Sequence, residues 1–194
     1  GAVGADPKLG DGCGILTQIP HRFFKEECDR LGIALPEPGF YAIGQLFLPR
    51  DAETRAVCEE IIAHAVAEEG LIFLGWREVP VDNADLGQAV LESEPAIRQI
   101  FIGRPDDFAD QDEFERQVYV LRKSISNKVY ARQDKATAEF YPVSMSSRTI
   151  VYKGMFLAEH IDEFYPDLRD QRFAAAVAIF HQRYSTNTFP EWRL

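Results

Sequence analysis

The sequence is poor in sulfur and lacks any arrangement of it that builds structure. Its three cysteines, Cys13, Cys28 and Cys58, are odd in number, widely spaced and without a C-x-x-C pair. That pattern excludes a disulfide framework and a zinc ribbon, and fits a reducing compartment. The four histidines, His21, His64, His160 and His181, are equally scattered. None falls in an H-E-x-x-H or comparable ligand spacing, so no metal site is expected. Basic residues are the minority charge, 21 Lys and Arg against 31 Asp and Glu, for a net charge of −10. Such a chain does not neutralise a phosphate backbone, and no nucleic-acid partner is expected. No apolar run is long enough to cross a bilayer, and the first residues lack the charged-then-apolar layout of a signal peptide. Internal repeats and low-complexity segments are absent too. These absences predict a soluble, cytoplasmic chain with no membrane partner.

What remains is an ordinary globular composition. With 194 residues, 46% of them hydrophobic and 27% charged, the chain can bury one substantial core and is expected to form a single domain over residues 1–194. Glycines at 10, 12 and 14 make a tight turn into an apolar strand over 15–19. A short helix over 21–31 closes at Gly32, a Pro and Gly loop follows, and residues 40–48 read as a strand. Asp51 can cap a helix that runs to Glu69, with Val57, Ile61 and Ala65 beside Cys58, Ile62 and Val66 on one apolar stripe. Gly70 ends it. Strands are predicted over 71–79 and 97–102, with a helical turn over 86–91 between them. From 110 to 131, Phe114, Val118, Leu121, Ile125 and Val129 recur at helical spacing after an acidic start that suits the helix dipole. A polar loop over 132–139, strands at 140–144 and 148–152, a helix over 158–164 and a buried strand over 174–183 complete the pattern. Strands separated by helices predict an α/β or α+β domain with layered sheets, and periodicity leaves open which strands pair.

The last strand leads into His181-Gln182-Arg183-Tyr184-Ser185-Thr186-Asn187-Thr188-Phe189-Pro190. An arginine followed by hydroxyl and amide groups, directly after an apolar run, is how a strand carries a carboxylate-binding site to its end. The planar guanidinium grips both oxygens of a carboxylate at once, which lysine cannot do. The alternative for Arg183 is a surface ion pair, and for Thr186 and Asn187 it is local turn chemistry. Tyr184 and Phe189 read as packing residues, His181 as a hydrogen-bonded structural histidine, and Asp11 as a turn residue.

This segment, read with Gly4-Ala5-Asp6-Pro7-Lys8-Leu9-Gly10-Asp11-Gly12-Cys13-Gly14, Leu74-Gly75-Trp76-Arg77-Glu78-Val79-Pro80-Val81-Asp82, Arg98-Gln99-Ile100-Phe101-Ile102 and Arg148-Thr149-Ile150-Val151-Tyr152-Lys153-Gly154-Met155, resembles the amino-terminal glutaminase domain of the glutamate synthase large subunit. The Arg183 segment alone points to class II glutamine amidotransferases; the other segments narrow the resemblance to glutamate synthase. Read without it, residues 148–154 are a strand with charged ends and nothing more. The resemblance implies an α+β chain with the N-terminal-nucleophile hydrolase fold, a four-layer α/β/β/α sandwich incomplete at both ends.

The chemistry that the resemblance implies is hydrolysis of the glutamine side-chain amide to glutamate and ammonia. In that family a cysteine at the mature N-terminus attacks, and its own α-amino group, titrating near ~8, serves as general base. By position in the family motif, Arg183 holds the α-carboxylate of L-glutamine, and Thr186 and Asn187 line the pocket. No catalytic residue is expected within the sequence: the nucleophile would precede Gly1, and an Asn-Gly pair forming the oxyanion hole would follow Leu194. The chain begins without methionine and stops just past its most distinctive motif, so it reads as a piece of a longer protein, inactive by itself.

Cys13 is not taken as a substitute nucleophile. It is internal, has no α-amino group of its own and stands where the family carries a small residue, so a small packed thiol is expected; an internal Cys13–His181 pair is the weaker alternative. Cys28 and Cys58 fall in helical patterns and read as core or interface residues. The parent enzyme implied by the resemblance uses FMN, an iron–sulfur cluster and NAD(P)H or ferredoxin to aminate 2-oxoglutarate, none of them held by these residues. Its partners would be the remaining domains and a small subunit or ferredoxin, in the cytoplasm or, in a plant or alga, a plastid. Two alternatives stay open: a non-catalytic module that binds glutamine or a partner, and the glutaminase domain of another amidotransferase.

Overall fold

The computed structural model describes residues 12–84, 86–134, 138–182 and 191–193, with the side chain of residue 89 left out. Among these residues the strands pair antiparallel into two sheets. In chain order the elements are β1 (Cys13–Gln18), α1 (His21–Arg30), β2 (Tyr41–Leu48), α2 (Ala52–Glu68), β3 (Ile72–Glu78), α3 (Gln88–Ser93), β4 (Ala96–Gly103), α4 (Gln111–Tyr130), β5 (Tyr141–Ser146), β6 (Thr149–Gly154), a 3-10 turn (Ala158–His160), α5 (Ile161–Phe164), a second 3-10 turn (Pro166–Arg169) and β7 (Ala178–His181). The larger sheet has the order β3-β4-β2-β5, the smaller β6-β1-β7.

Alternation along β2 assigns its two faces. Ala42, Leu46 and Leu48 join a core with α2, α4 and β4, whereas Tyr41, Ile43 and Phe47 join a second core shared with β1, β6 and α1. Helices α2 and α4 therefore cover one face of the large sheet, and the small sheet shares the core on the other.

The two covering helices form where their caps and stripes dictate. Asp51 accepts from the Thr54 amide at 2.8 Å, and Asp110 from the Glu113 amide at 2.8 Å, each satisfying a donor that helix geometry leaves orphaned. Cys58, Ile62, Ala65 and Val66 of α2 are buried, as are Phe114, Val118, Leu121, Ile125 and Val129 of α4. At Gly70, φ is +71°, a left-handed turn that glycine takes without a Cβ penalty, and α2 stops there.

Strands β5 and β6 meet at a tight corner where the chain crosses from the larger sheet to the smaller. Glu115 of α4 clamps this corner, accepting from the Ser146 hydroxyl, the Ser147 hydroxyl and the Ser147 amide, each at 2.6 Å.

Two expectations need correction. The predicted strand over 174–183 is confined to Ala178–His181, and it is exposed rather than buried: Val177, Ile179 and Phe180 are 55%, 65% and 68% accessible. It lies at the edge of the small sheet, so β1 covers one side and no described element covers the rest. Ala138 and Glu139 are helical where a loop was expected. The short helix expected over 158–164 is present, as a 3-10 turn followed by the single α-turn of α5.

Candidate functional site

Antiparallel pairing sets Cys13 opposite Gly154, and Gly14 between Lys153 on β6 and His181 on β7. These residues form one end of the small sheet, where β7 delivers the chain towards residue 183. The packing there is close: a Cβ added to Gly14 would lie 3.0 Å from His181 Nε2 and 3.1 Å from Lys153 Cβ. Lys153 and His181 thus flank the same face of β1, and only glycine leaves both room.

Arg183, Thr186 and Asn187, the expected carboxylate and pocket residues, lie outside the described residues, as do Asp11, Tyr184 and Phe189. The chain resumes at Glu191. Glu191, Trp192 and Arg193 line a cleft of about 430 Å³ together with Phe47, Tyr141 and Met155. Trp192 forms an aromatic wall, its ring meeting Phe47 edge-on at 5.6 Å and Phe164 at 5.8 Å. The cleft is therefore bounded by the residues that follow the motif and by strands of the large sheet.

Lys153 stands behind this wall. Its Nζ is 4.6 Å from the centre of the Tyr141 ring and 6.0 Å from that of Phe47, a cation against two π faces. The residue is only 8% accessible, and burial pushes its ammonium down to about 8. The "charged end" of this strand is thus not a solvated charge. A single cation inside Ile150-Val151-Tyr152-Lys153-Gly154-Met155-Phe156 was the available sign of it.

The three thiols carry no activation. Cys13, Cys28 and Cys58 are buried and unbridged, and burial pushes them up to about 12, 12 and 11 respectively. A nucleophilic cysteine requires a lowered value and access, so each is a packed, protonated thiol at neutral pH. Cys13 and His181 occupy neighbouring register positions on β1 and β7, but side chains alternate along the strand, and the Gly14 position is the one that faces His181 Nε2.

A polar network that sequence reasoning missed joins the sheets behind this end. Arg77 of β3 forks onto Asp167, with Nη1 to Oδ2 at 2.8 Å and Nη2 to Oδ1 at 2.7 Å, and Nη1 also donates to Gln99 Oε1 at 2.9 Å. Gln99 Nε2 donates to Gln45 Oε1 at 2.9 Å and to the Tyr152 hydroxyl at 3.0 Å, while that hydroxyl donates to Asp167 Oδ2 at 2.9 Å. Burial works against the Arg77 charge, and the hydrogen bonds and charge of Asp167 outweigh it. Tyr152 is raised well above the ordinary phenol value, chiefly by burial and next by the Asp167 charge. One edge of the network reaches the surface through Glu27, which lies 3.6 Å from Arg77 and accepts from Arg172 at 2.8 Å. The result fixes Tyr152, and with it the strand that carries Lys153 and Gly154. Tyr165 adds a second hold, its hydroxyl donating to the Lys153 carbonyl at 2.8 Å.

Among the described residues no group of three His, Cys, Asp or Glu side chains converges as a metal site requires, and the thiols lie apart in the core. These residues therefore do not fit an iron–sulfur cluster. No described helix is long and apolar enough to cross a membrane.

Comparison with known proteins joins these features to a family. The family profile of class II glutamine amidotransferases matches residues 1–194. The chain is 43% identical over 192 residues to the glutamate synthase (NADPH) large chain of Bacillus subtilis, covering 99% of the chain and 12% of that protein. It is 42% identical over 195 residues to the corresponding large chain of Azospirillum brasilense, again 12% of that protein. A chloroplastic ferredoxin-dependent glutamate synthase 2 of Arabidopsis thaliana is 39% identical over 194 residues. The chain thus spans only a small part of the length of these relatives.

Proposed function

The chain belongs to the class II glutamine amidotransferases, and from that membership we propose that it is the glutaminase part of a glutamate synthase, releasing ammonia from L-glutamine for reductive amination of 2-oxoglutarate elsewhere in the same enzyme. The match across the whole chain to glutamate synthase large chains, at 36–43% identity, supports this reading more than any other observation.

The division of labour follows from the chemistry. A thiolate adds to the amide carbon, a C–S bond forms, and the carbonyl oxygen takes the negative charge. Collapse expels the nitrogen as ammonia with a proton from the neighbouring α-ammonium, and water then cleaves the thioester to give glutamate. None of the described thiols suits the first step, because all three are buried and raised. The nucleophile in this reading is a cysteine with a free α-amino group, outside the described residues. Arg183 holds the α-carboxylate of glutamine with its bidentate fork, and Thr186 and Asn187 donate supporting hydrogen bonds at the pocket wall. The strands β1, β6 and β7 are the rigid frame that delivers this motif.

In this reading the two observed sheets and the α2 and α4 layer are three layers of a four-layer α/β/β/α sandwich. The flavin, cluster and nicotinamide or ferredoxin donor belong to other domains and partners of the parent enzyme, in the cytoplasm or a plastid. Amide hydrolysis moves no electrons, so no step here runs through them.

The deciding experiment is the glutamine dependence of the full-length protein. Arg183→Ala should raise the glutamine KM by a factor corresponding to about 1.5–3 kcal/mol, the worth of a charge-assisted hydrogen bond, with Arg183→Lys recovering part of it. An unchanged KM removes Arg183 from the carboxylate site, and a full-length protein that releases no ammonia from glutamine removes the glutaminase reading.

A further inference from the structure

The cleft of about 430 Å³ has a chemistry that the glutaminase reading does not use. Phe47, Tyr141 and Trp192 give it an aromatic wall. The charge around it is mainly negative, with Glu92, Glu94, Glu139 and Glu191 set against Arg50 and Arg193. Both arginines are already engaged. Arg193 Nε pairs with Glu191 at 2.8 Å, and Arg50 Nη1 donates to the Leu91 carbonyl at 2.6 Å.

The other three glutamates are left with neutral donors. Glu92 accepts from the Gln88 side-chain amide at 3.1 Å, Glu94 from the Asn83 side-chain amide at 2.9 Å, and Glu139 from the Arg50 backbone amide at 3.2 Å. Among the described residues none of the three enters an ion pair.

Glu94 sets this cleft apart from a solvated acidic surface. It is only 5% accessible, so water screens its carboxylate poorly, and carboxylates in such places are as a rule paired with a cation. Asn83 occupies Oε2 alone, and no described residue donates to Oε1. A buried carboxylate with one oxygen unbonded on the lining of a cleft calls for a positive ligand.

The lining also says which kind. No group of three acidic, His or Cys side chains converges among the described residues, so the cation is not a coordinated metal ion. Aromatic faces attract organic cations and cover the alkyl stems that carry them. With Oε2 taken, Glu94 cannot receive a planar guanidinium fork on both oxygens, whereas a compact ammonium needs only one.

We propose that this cleft binds an alkylammonium group, its head on Glu94 Oε1 in the negative field of Glu92 and Glu139, and its stem along Phe47, Tyr141 and Trp192. A free amine carries that chemistry, and so does a lysine side chain from another part of the full-length protein, since the chain spans only a small part of the length of its relatives.

The test uses full-length wild-type protein and n-hexylammonium as the probe, with hexanoate and 1-hexanol as controls, read by titration calorimetry. For a free-amine site, hexylammonium should bind saturably and at least about tenfold more tightly than either control, and Glu94→Gln should weaken it at least about tenfold. Where a lysine of the same protein already fills the cleft, hexylammonium should not bind, and carbodiimide activation should join that lysine to Glu92, Glu94 or Glu139 in a peptide found by mass spectrometry. Controls that bind as tightly as hexylammonium overturn the proposal. So does hexylammonium binding that Glu94→Gln leaves unchanged, or the absence of both binding and cross-link. The wild-type measurements do not depend on the folding of Glu94→Gln, and Glu139→Gln, at an exposed position, supplies a second variant expected to weaken hexylammonium by a smaller factor. None of these readouts involves ammonia release from glutamine, so failure of the glutaminase reading is distinguishable.

Discussion

Arg77 and Asp167, ninety positions apart in sequence, meet fork to fork in the core at 2.7 and 2.8 Å, and the same carboxylate takes the Tyr152 hydroxyl at 2.9 Å. One ion pair thereby ties an edge strand of the large sheet to the middle of β6 on the small one. Both are buried: Asp167 would be an uncompensated charge without Arg77, and Arg77 without Asp167 would keep only Glu27, 3.6 Å away.

Removing one partner should therefore cost more than removing both. Asp167→Leu or Arg77→Met is expected to destabilise the chain by about 3–5 kcal/mol, the usual penalty for stranding a buried charge, while the Arg77→Met, Asp167→Leu double variant should recover a substantial part. Urea unfolding followed by the fluorescence of Trp76 and Trp192 measures this. Additive losses in the double-mutant cycle would show that the pair is not coupled.

The thiols give a second expectation. Burial and values near 11 to 12 keep Cys13, Cys28 and Cys58 protonated, so in native protein none should react with a disulfide reagent at neutral pH on the timescale of a free thiol, and all three should react in denaturant. Cys13→Ala should leave the glutamine kcat of the full-length protein unchanged. Rapid native labelling of Cys13, or loss of turnover in that variant, would revive it as a nucleophile.

Gly154 tests how tightly the site end is packed. A Cβ there would fall 2.2 Å from Cε1 and 2.5 Å from Cζ of Phe156, whose ring is wedged against Phe164 and Trp192. Gly154→Ala must displace that ring and the cleft wall behind it, at about 1–3 kcal/mol, the common cost of overpacking. Thermal unfolding should show the loss, and Gly154→Ala with Phe156→Leu should relieve it; a neutral single variant would mean the ring has somewhere to go.

Which parts of the structure could be read from sequence follows from the range of the forces involved. The α2 and α4 helices were legible because caps and stripes act within a few residues: Asp51, Asp110 and Gly70 do what their local chemistry dictates. The exposure of β7 was not, because an apolar run reports what could be buried and says nothing of whether another segment lies against it. The Arg77–Asp167 pair has no spacing signal at all across ninety residues. Arg183, Thr186 and Asn187 rest on motif resemblance and chemistry and lie outside the described residues; the burial of Lys153 required the fold, since the chain crosses between the sheets from β5 to β6 and so sets its ammonium against the Tyr141 ring.

The pH dependence of stability isolates Lys153. Its folded value, about 8, lies below the ~10.4 of an unfolded lysine, so between those values the native state binds fewer protons than the unfolded one. Stability contributed by this group therefore rises with pH across that window. Below pH 8 the residue is charged in both states and the full burial cost is present; above about 10.4 it is neutral in both and the cost is gone. Lys153→Met removes the cost at every pH and should be more stable than wild type at pH 7 by on the order of 1–3 kcal/mol, less whatever the Tyr141 ring contact returned. The difference should close as both proteins are taken from pH 8 to 10.5 in urea titrations. A gap that stays constant over that range would mean that the ammonium is not desolvated.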